Sequence, residues 1–230
     1  AVLSGDIEES VIDQALDRIL TFKKRWIDVV GVNSPKVDST YFQQRYFYET
    51  MFRIALEGIT LEFDYESRLP LPKDAIIKVI SQTTYNDENY IGDRKSIVHK
   101  VFSKDKYEVD FIKGANPTHA EVNLIATSVK KNQFVLIMIN ERRTLDSSWK
   151  DLINRLLENT KNIVVVSLWN PQIIEHLPRD VRTYITTYSY TDHVILALKE
   201  LIEGKQPFMG ISPVALLEQG SFTCEKSTNL

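Results

Sequence analysis

Two short segments that are apolar on both faces constrain the fold more than any other feature of the sequence. They are residues 134–139 (FVLIMI) and 163–166 (IVVV). A strand with one face in water alternates polar and apolar residues, so an uninterrupted apolar run of this length indicates a strand covered on both sides. Amphipathic stretches separate these runs, and such helices cover both faces of parallel sheets. The sequence therefore predicts an α/β fold, a three-layer αβα sandwich with a mostly parallel sheet.

The alternation of strands and helices runs through the middle of the chain. The periodicity predicts helices at 96–102, 118–130, 147–159, 171–177 and 193–202. Right-handed crossovers between parallel strands place any ligand at the carboxyl ends of the strands. Strands are predicted at 75–80, 107–112, 134–139, 163–168 and 182–187.

The first 66 residues follow a different pattern. Apolar residues recur at helical spacing from Ile7 to Leu20, and a second helical stretch is predicted over 41–61. The composition of residues 27–40 is typical of an exposed connector, since the segment carries Gly31, Asn33, Ser34, Pro35, Asp38 and Ser39. We therefore predict four parts: a terminal helix (1–26), a linker with a packing helix (27–66), the sandwich domain (67–216) and a polar tail (217–230).

Charge and composition exclude several classes of partner. The chain has 28 lysines and arginines against 31 aspartates and glutamates, a net charge of −3, so no positive field attracts nucleic acid or an anionic membrane. No apolar stretch approaches the ~18 residues that a membrane span needs. The N-terminal residues lack the basic and apolar regions of a signal peptide. Cys224 is the single cysteine and has no disulfide partner in the chain.

The motifs of the common α/β chemistries are missing from the sequence. None of the eight glycines forms a phosphate-binding loop, so no nucleotide cofactor is predicted. The four histidines lack metal-ligand spacing, and no metal site is predicted. The sequence has no G-x-S-x-G elbow of a serine hydrolase.

The remaining candidates are polar and aromatic side chains that follow the strands. Glu141 comes directly after a buried strand, although Arg142 and Arg143 beside it indicate an ion pair or a domain contact equally well. Trp169 fits either the wall of a cleft or packing against a crossover. The residues predicted to face a cleft or a neighbouring domain are Glu88, Asn140, Glu141, Trp169, Asn170 and Tyr188.

Several segments, in their order along the chain, resemble the C-terminal domain of family 3 glycoside hydrolases, and most closely the bacterial β-N-acetylhexosaminidase branch. Residues 167–171 (SLWNP) resemble a strand that ends in an Asn-Pro turn, and Leu177-Pro178 resembles the end of the helix that follows. Residues 210–214 (GISPV) resemble the closing segment of the domain, with Ser212 where the family usually has leucine.

The N-terminal part supports the same resemblance. Residues 4–7 and 18–20 resemble the last helix of the (β/α)8 catalytic barrel of that family, and residues 69–71 (LPL) resemble the entry to its second domain. The terminal helix is thus interpreted as the remainder of a barrel domain that this chain lacks.

The resemblance implies a function next to the catalytic centre. We expect an accessory domain of a β-N-acetylhexosaminidase that hydrolyses terminal β-linked N-acetylglucosamine, soluble and located in the bacterial cytoplasm or cell envelope. In this family the nucleophile lies on the barrel, so no residue here is assigned a catalytic role and the isolated chain is expected to be inactive. The expected partners are the missing barrel, carbohydrate bound through that barrel, and a second copy bound through the first helix. A stand-alone ligand-binding or protein-binding αβα domain is the alternative interpretation.

Overall fold

The computed structural model describes residues 1–30, 40, 45–82, 96–104 and 106–216. The chain separates into two compact units, residues 1–44 and 45–230. The first unit contains helix α1 (Glu9–Val30), which extends beyond residue 26, where the predicted connector was to begin. No helix among the described residues is long and apolar enough to cross a membrane.

The second unit alternates strands and helices, as predicted. Its helices are α2 (Arg45–Gly58), α3 (Ile97–Phe102), α4 (His119–Ser128), α5 (Ser147–Asn159) and α6 (Asp192–Ile202), with a 3₁₀ helix at Pro171–His176. Its strands are β1 (Thr60–Asp64), β2 (Ile77–Gln82), β3 (Tyr107–Ile112), β4 (Phe134–Ile139), β5 (Ile163–Ser167) and β6 (Thr183–Thr186).

Within the described residues, the strands form one six-stranded sheet in the order β1-β6-β5-β4-β2-β3. Strands β2 to β6 are parallel, and β1 pairs antiparallel with β6 at one edge. Helices cover both faces, so the predicted αβα sandwich with a mostly parallel sheet is confirmed.

Strand β1 corrects the prediction for the segment before the sandwich. A helix was predicted over 41–61, but α2 ends at Gly58 and residues 60–64 (TLEFD) form β1. Leu61 and Phe63 alternate with polar residues, which is the pattern of a strand with one covered face. Because this strand is short and follows α2 after a single residue, the prediction extended the helix to Leu61 and left residues 62–66 in the linker segment.

The alternation of side chains along the central strands creates two apolar layers. Val79, Leu136 and Val164 face the layer that includes residues of α2, α3 and α6. Ile137 and Val165 face the opposite layer, which includes residues of α4 and α5. The central strands are therefore buried on both sides, which explains their uninterrupted apolar sequences.

The sheet has one topological switch point. From β2 the chain crosses to β3 at the edge, and it then returns past β2 to β4, so that the direction of winding reverses between the adjacent strands β2 and β4. Crossover helices on opposite faces leave a crevice at the carboxyl ends of such a pair of strands. Gln82 ends β2 and Asn140 follows β4, so these residues mark the crevice.

Candidate functional site

The predicted site residues follow three neighbouring strands at the carboxyl edge of the sheet. Asn140 and Glu141 come directly after β4, Trp169 and Asn170 follow β5, and Tyr188 follows β6. Glu88 lies outside the described residues, as do all of residues 83–95.

Gln82 connects the end of β2 with the residues that follow β4. Its side chain is fully buried, and its Nε2 donates to the backbone oxygen of Asn140 at 2.9 Å and to Oε1 of Glu141 at 3.5 Å. The Oε1 atom of Gln82 and the Oδ1 atom of Asn140 are buried without a hydrogen-bond partner among the described residues. A buried acceptor that lacks a donor is costly, so each of these two oxygens requires a donor beyond the contacts of the described residues.

Sequence reasoning did not identify Gln82. The available signal was Gln82 itself, a polar residue at the end of the strand sequence IKVISQ and directly before the largely polar sequence TTYNDENY. That signal becomes informative only when β4 is known to lie beside β2.

Glu141 is a buried carboxyl group at the switch point, only 4% exposed. Burial raises the pKa of Glu141, the hydrogen bond from Gln82 opposes this effect, and the nearby Asp146 carboxylate adds to it. Within the described residues Glu141 forms no ion pair with Arg142 or Arg143. With Thr144, these residues line a pocket of about 470 Å³, a volume in the range of small-molecule sites.

Asn170 holds the loop after β4 against the loop after β5. Its backbone N–H donates to the oxygen of Glu141 at 3.2 Å, and its Nδ2 donates to the oxygen of Arg143 at 2.6 Å. Its Oδ1 accepts from the backbone N–H of Gln172 at 3.0 Å and so caps the 3₁₀ helix. One asparagine therefore fixes the path of the residues that line the pocket.

Trp169 extends the same edge with a row of flat side chains. The Arg142 guanidinium lies 4.6 Å from the centroid of the Trp169 ring, and the Tyr190 ring stacks on Trp169 with centroids 5.4 Å apart. The indole remains 39% exposed. Trp169 therefore packs on its neighbours and also presents part of its surface at the edge.

Tyr188 has contacts of a different kind. Its φ of 57° is in the left-handed region, which is uncommon for a bulky residue. Its hydroxyl lies 3.3 Å from Thr60 Oγ1 and from Glu62 Oε1, and 3.5 Å from Ser212 Oγ. These partners belong to β1 and to the 210–214 segment, so the structure does not place the Tyr188 hydroxyl with the other candidate residues.

The chemistry that this edge can perform is limited by its carboxyl groups. Asp146, the neighbour of Glu141, accepts from the backbone N–H of Ser148 at 2.8 Å as the cap of α5. Hydrogen bonds from Ser148 lower the pKa of Asp146. Glycoside hydrolysis needs two carboxyl groups that flank the bond, and the capping role commits one of this pair to the fold. Among the described residues, no group of three histidine, cysteine, aspartate or glutamate side chains could hold a metal ion.

This architecture, a doubly wound αβα sandwich with an antiparallel edge strand, has counterparts among solved structures. The structure of a glycoside hydrolase family 3 beta-N-acetylglucosaminidase from Paenibacillus sp. str. FPU-7 aligns with 92% of this chain and 40% of its own, at 23% identity and a TM-score of 0.64. A beta-glucoside phosphorylase aligns with 92% of this chain and 39% of its own, at 20% identity and a TM-score of 0.61. A beta-glucosidase from Listeria innocua aligns with 89% of this chain and 31% of its own, at 14% identity and a TM-score of 0.62.

These comparisons confirm the predicted resemblance to family 3 glycoside hydrolases, and at these identities they show a shared fold. The sandwich resembles the C-terminal domain of that family. The chain spans about 40% of the length of the Paenibacillus enzyme. No family model matches the sequence, and no curated protein matches it.

Proposed function

We propose that this chain is the accessory C-terminal domain of a family 3 glycoside hydrolase of bacterial type. The proposed enzyme is a β-N-acetylhexosaminidase that removes terminal β-linked N-acetylglucosamine. The observation that carries the proposal is that nearly the whole chain aligns with less than half of a β-N-acetylglucosaminidase. The SLWNP and GISPV segments, which resemble that branch, support the choice of sugar.

The catalytic pair belongs, in this proposal, to the barrel domain. Among the described residues, Glu141 is a buried carboxyl group whose neighbour Asp146 caps α5. Glycoside hydrolysis needs two carboxyl groups that flank the bond, so we expect the isolated chain to be inactive. Its contribution is a rigid surface for the barrel, formed by the loops after β4 and β5 that Asn170 holds together.

The test compares the isolated chain with the complete gene product. Purified residues 1–230 and the full-length protein are assayed on an aryl β-N-acetylglucosaminide and on an aryl β-glucoside. We expect the full-length protein to hydrolyse the first substrate faster than the second, and the isolated chain to hydrolyse neither. Turnover by the isolated chain, or a gene that encodes no barrel, would contradict the proposal, and the second result would favour the stand-alone binding domain.

A second assay locates the contribution of the carboxyl edge. In the full-length enzyme, Asn170→Ala should reduce turnover or lower the melting temperature, because the loop after β4 loses its hydrogen bond from the Asn170 side chain. Glu158→Ala is the matched control, since Glu158 is an exposed residue of α5. Equal behaviour of both variants would argue against a role for this edge.

Helix α1 supports the proposed association of this chain with a second copy. Val11, Leu16 and Ile19 are each about half exposed, and they recur along one stripe of the helix. Contiguous exposed apolar surface of this kind marks an interaction site. We expect light scattering to show a dimer of residues 1–230 and a monomer for Leu16→Glu, whereas a monomeric parent chain would contradict the association.

A further inference from the structure

The contact between β2 and the loop after β4 is a side-chain contact at a place where the sheet ladder has ended. Gln82 pairs with Ile112 in the ladder to β3, while the last ladder pair between β2 and β4 is Ser81 with Met138. Beyond that pair, the Gln82 amide donates to the Asn140 backbone oxygen. The Gln82 side chain thus adds one hydrogen bond between β2 and the residue that follows β4, beyond the end of their ladder.

The same amide group also reaches the carboxyl group of Glu141. We infer that Gln82 is a positioning residue, which fixes the orientation of the Glu141 carboxyl group at the switch-point pocket. The hydrogen bond of 2.9 Å to the Asn140 backbone oxygen fixes the side-chain amide of Gln82. The same amide then presents its Nε2 donor 3.5 Å from Glu141 Oε1. A glutamate side chain without such a donor retains several rotamers, so the contact selects the one that points toward β2.

The other charged groups near Glu141 do not supply this function. The Asp146 carboxylate repels the charged form of Glu141 and is held by Ser148. Arg142 and Arg143 line the same pocket, but the Arg142 guanidinium lies over Trp169. Among the described residues, Gln82 is the one side chain with a hydrogen bond to the Glu141 carboxyl group.

This inference goes beyond the proposed function and does not depend on it. It concerns the carboxyl group of the isolated chain, and it holds equally for a domain of a hydrolase and for a stand-alone binding domain. Failure of the hydrolase proposal in the activity assay therefore leaves the inference standing, and the reverse is also true.

The experiment is an NMR titration of labelled residues 1–230. The carboxyl carbon of Glu141 and the side-chain amide of Gln82 are followed against pH in the parent chain. We expect the amide resonances to shift with the same midpoint as the carboxyl carbon, because the donor senses the charge of its acceptor. Amide resonances that do not respond across the Glu141 titration would overturn the inference without any substitution.

A pair of variants, followed by the same NMR titration, provides a second test of the inference. Gln82→Met keeps the length of the side chain and removes its donor, so the Glu141 midpoint should move upward. Ser81→Ala is the matched control, because Ser81 is the buried neighbour on the same strand and its Oγ has no partner among the described residues. An unchanged midpoint in Gln82→Met, or an equal shift in Ser81→Ala, would overturn the inference, and if Gln82→Met does not fold the parent titration decides.

Discussion

The loops after β4 and after β6 begin at the same edge of the sheet, yet they direct their polar groups differently. After β4, the Asn140 side chain has a buried oxygen without a partner among the described residues, and Glu141 lines a pocket. After β6, Thr187 Oγ1 donates to the oxygen of Ser189 at 2.7 Å, and the Tyr188 hydroxyl contacts β1. Among the described residues, the first loop leaves a buried oxygen without a partner, whereas the polar groups of the second form contacts within the fold.

The neighbouring strands account for this difference. Strand β6 lies beside the antiparallel strand β1, whose Thr60 and Glu62 offer oxygen atoms to Tyr188, which follows β6. Strand β4 lies beside β2, where the winding reverses and the crevice opens. The position of a loop after a parallel strand therefore fixes the edge of the sheet at which the loop lies. The adjacent strand determines whether the side chains of that loop form hydrogen bonds within the fold.

The largest loss of stability is expected from adding a side-chain atom at Gly210, at the start of the 210–214 segment. A Cβ atom on Gly210 would clash with the backbone oxygen of Ile59 and would lie 2.7 Å from the Gly58 oxygen. Gly210→Ala should therefore lower the free energy of unfolding by about 2–3 kcal/mol, as overpacking does, in urea denaturation. It should also displace Ser212 from Tyr188. The control is Gly58→Ala, whose Cβ would meet no atom within 4 Å, and equal stability of the two variants would refute the close approach.

A smaller loss is expected from the loop after β4. Asn170→Ala removes the cap of the 3₁₀ helix and the bond to the Arg143 oxygen, and it should cost about 1–2 kcal/mol. Hydrogen exchange should become faster at the amides of residues 141–143. Asn170→Asp keeps the capping oxygen but not the donor, so its stability should lie between those of Asn170→Ala and the parent. Unchanged exchange at 141–143 in both variants would show that another group holds the loop.

The Tyr188 hydroxyl should contribute to stability without influencing the pocket. Tyr188→Phe removes the contacts to Thr60 and Glu62 and should lower the free energy of unfolding by about 0.5–1.5 kcal/mol. The NMR midpoint of Glu141 should stay the same. Tyr46→Phe serves as the control, because Tyr46 is 71% exposed and its substitution should change neither quantity. A displaced Glu141 midpoint in Tyr188→Phe would mean that the two loops are coupled.

Residues with strong local signals made much of the fold predictable from the sequence. The predicted bounds of β3, β4 and α5 agree with the structure. The alternating sequence of β3, the continuous apolar run of β4 and the amphipathic pattern of α5 are each a clear local signal. Strand β1 was missed because an edge strand of five residues has one covered face and little periodicity to distinguish it from the end of α2.

The site was predictable as an edge but not as a set of contacts. Glu141 and Asn170 were identified because residues after parallel strands collect at one edge of the sheet. The role of Gln82 depends on β2 lying beside β4, and the direction of Tyr188 depends on β1. Both are facts of strand order, which a single sequence does not contain.

The smallest expected effect concerns the charge of Glu141. Burial raises the pKa of Glu141 and Asp146 reinforces the effect, against the hydrogen bond from Gln82. An acid with a raised pKa binds its proton more tightly in the folded chain than in the unfolded one. Its stabilising contribution is therefore complete below the ordinary glutamate pKa of 4.5, and it is lost as the pH rises through the raised value. Glu141→Gln should consequently gain stability relative to the parent as the pH rises.

Glu203 on the far side of the sandwich gives the control of opposite sign. Burial acts to raise its pKa, but hydrogen bonds from Lys199, Tyr107 and Lys205 hold the pKa of Glu203 at about 2. Its contribution is present above the ordinary pKa and is lost as the pH falls toward 2. Urea denaturation is measured from about pH 3 to about pH 8, a range in which the two carboxyl groups should show opposite trends. Glu203→Gln should lose stability relative to the parent as the pH rises. If both variants followed the same trend, the buried carboxyl at the switch point would be as well paired as Glu203, and the contrast between the two loops would not hold.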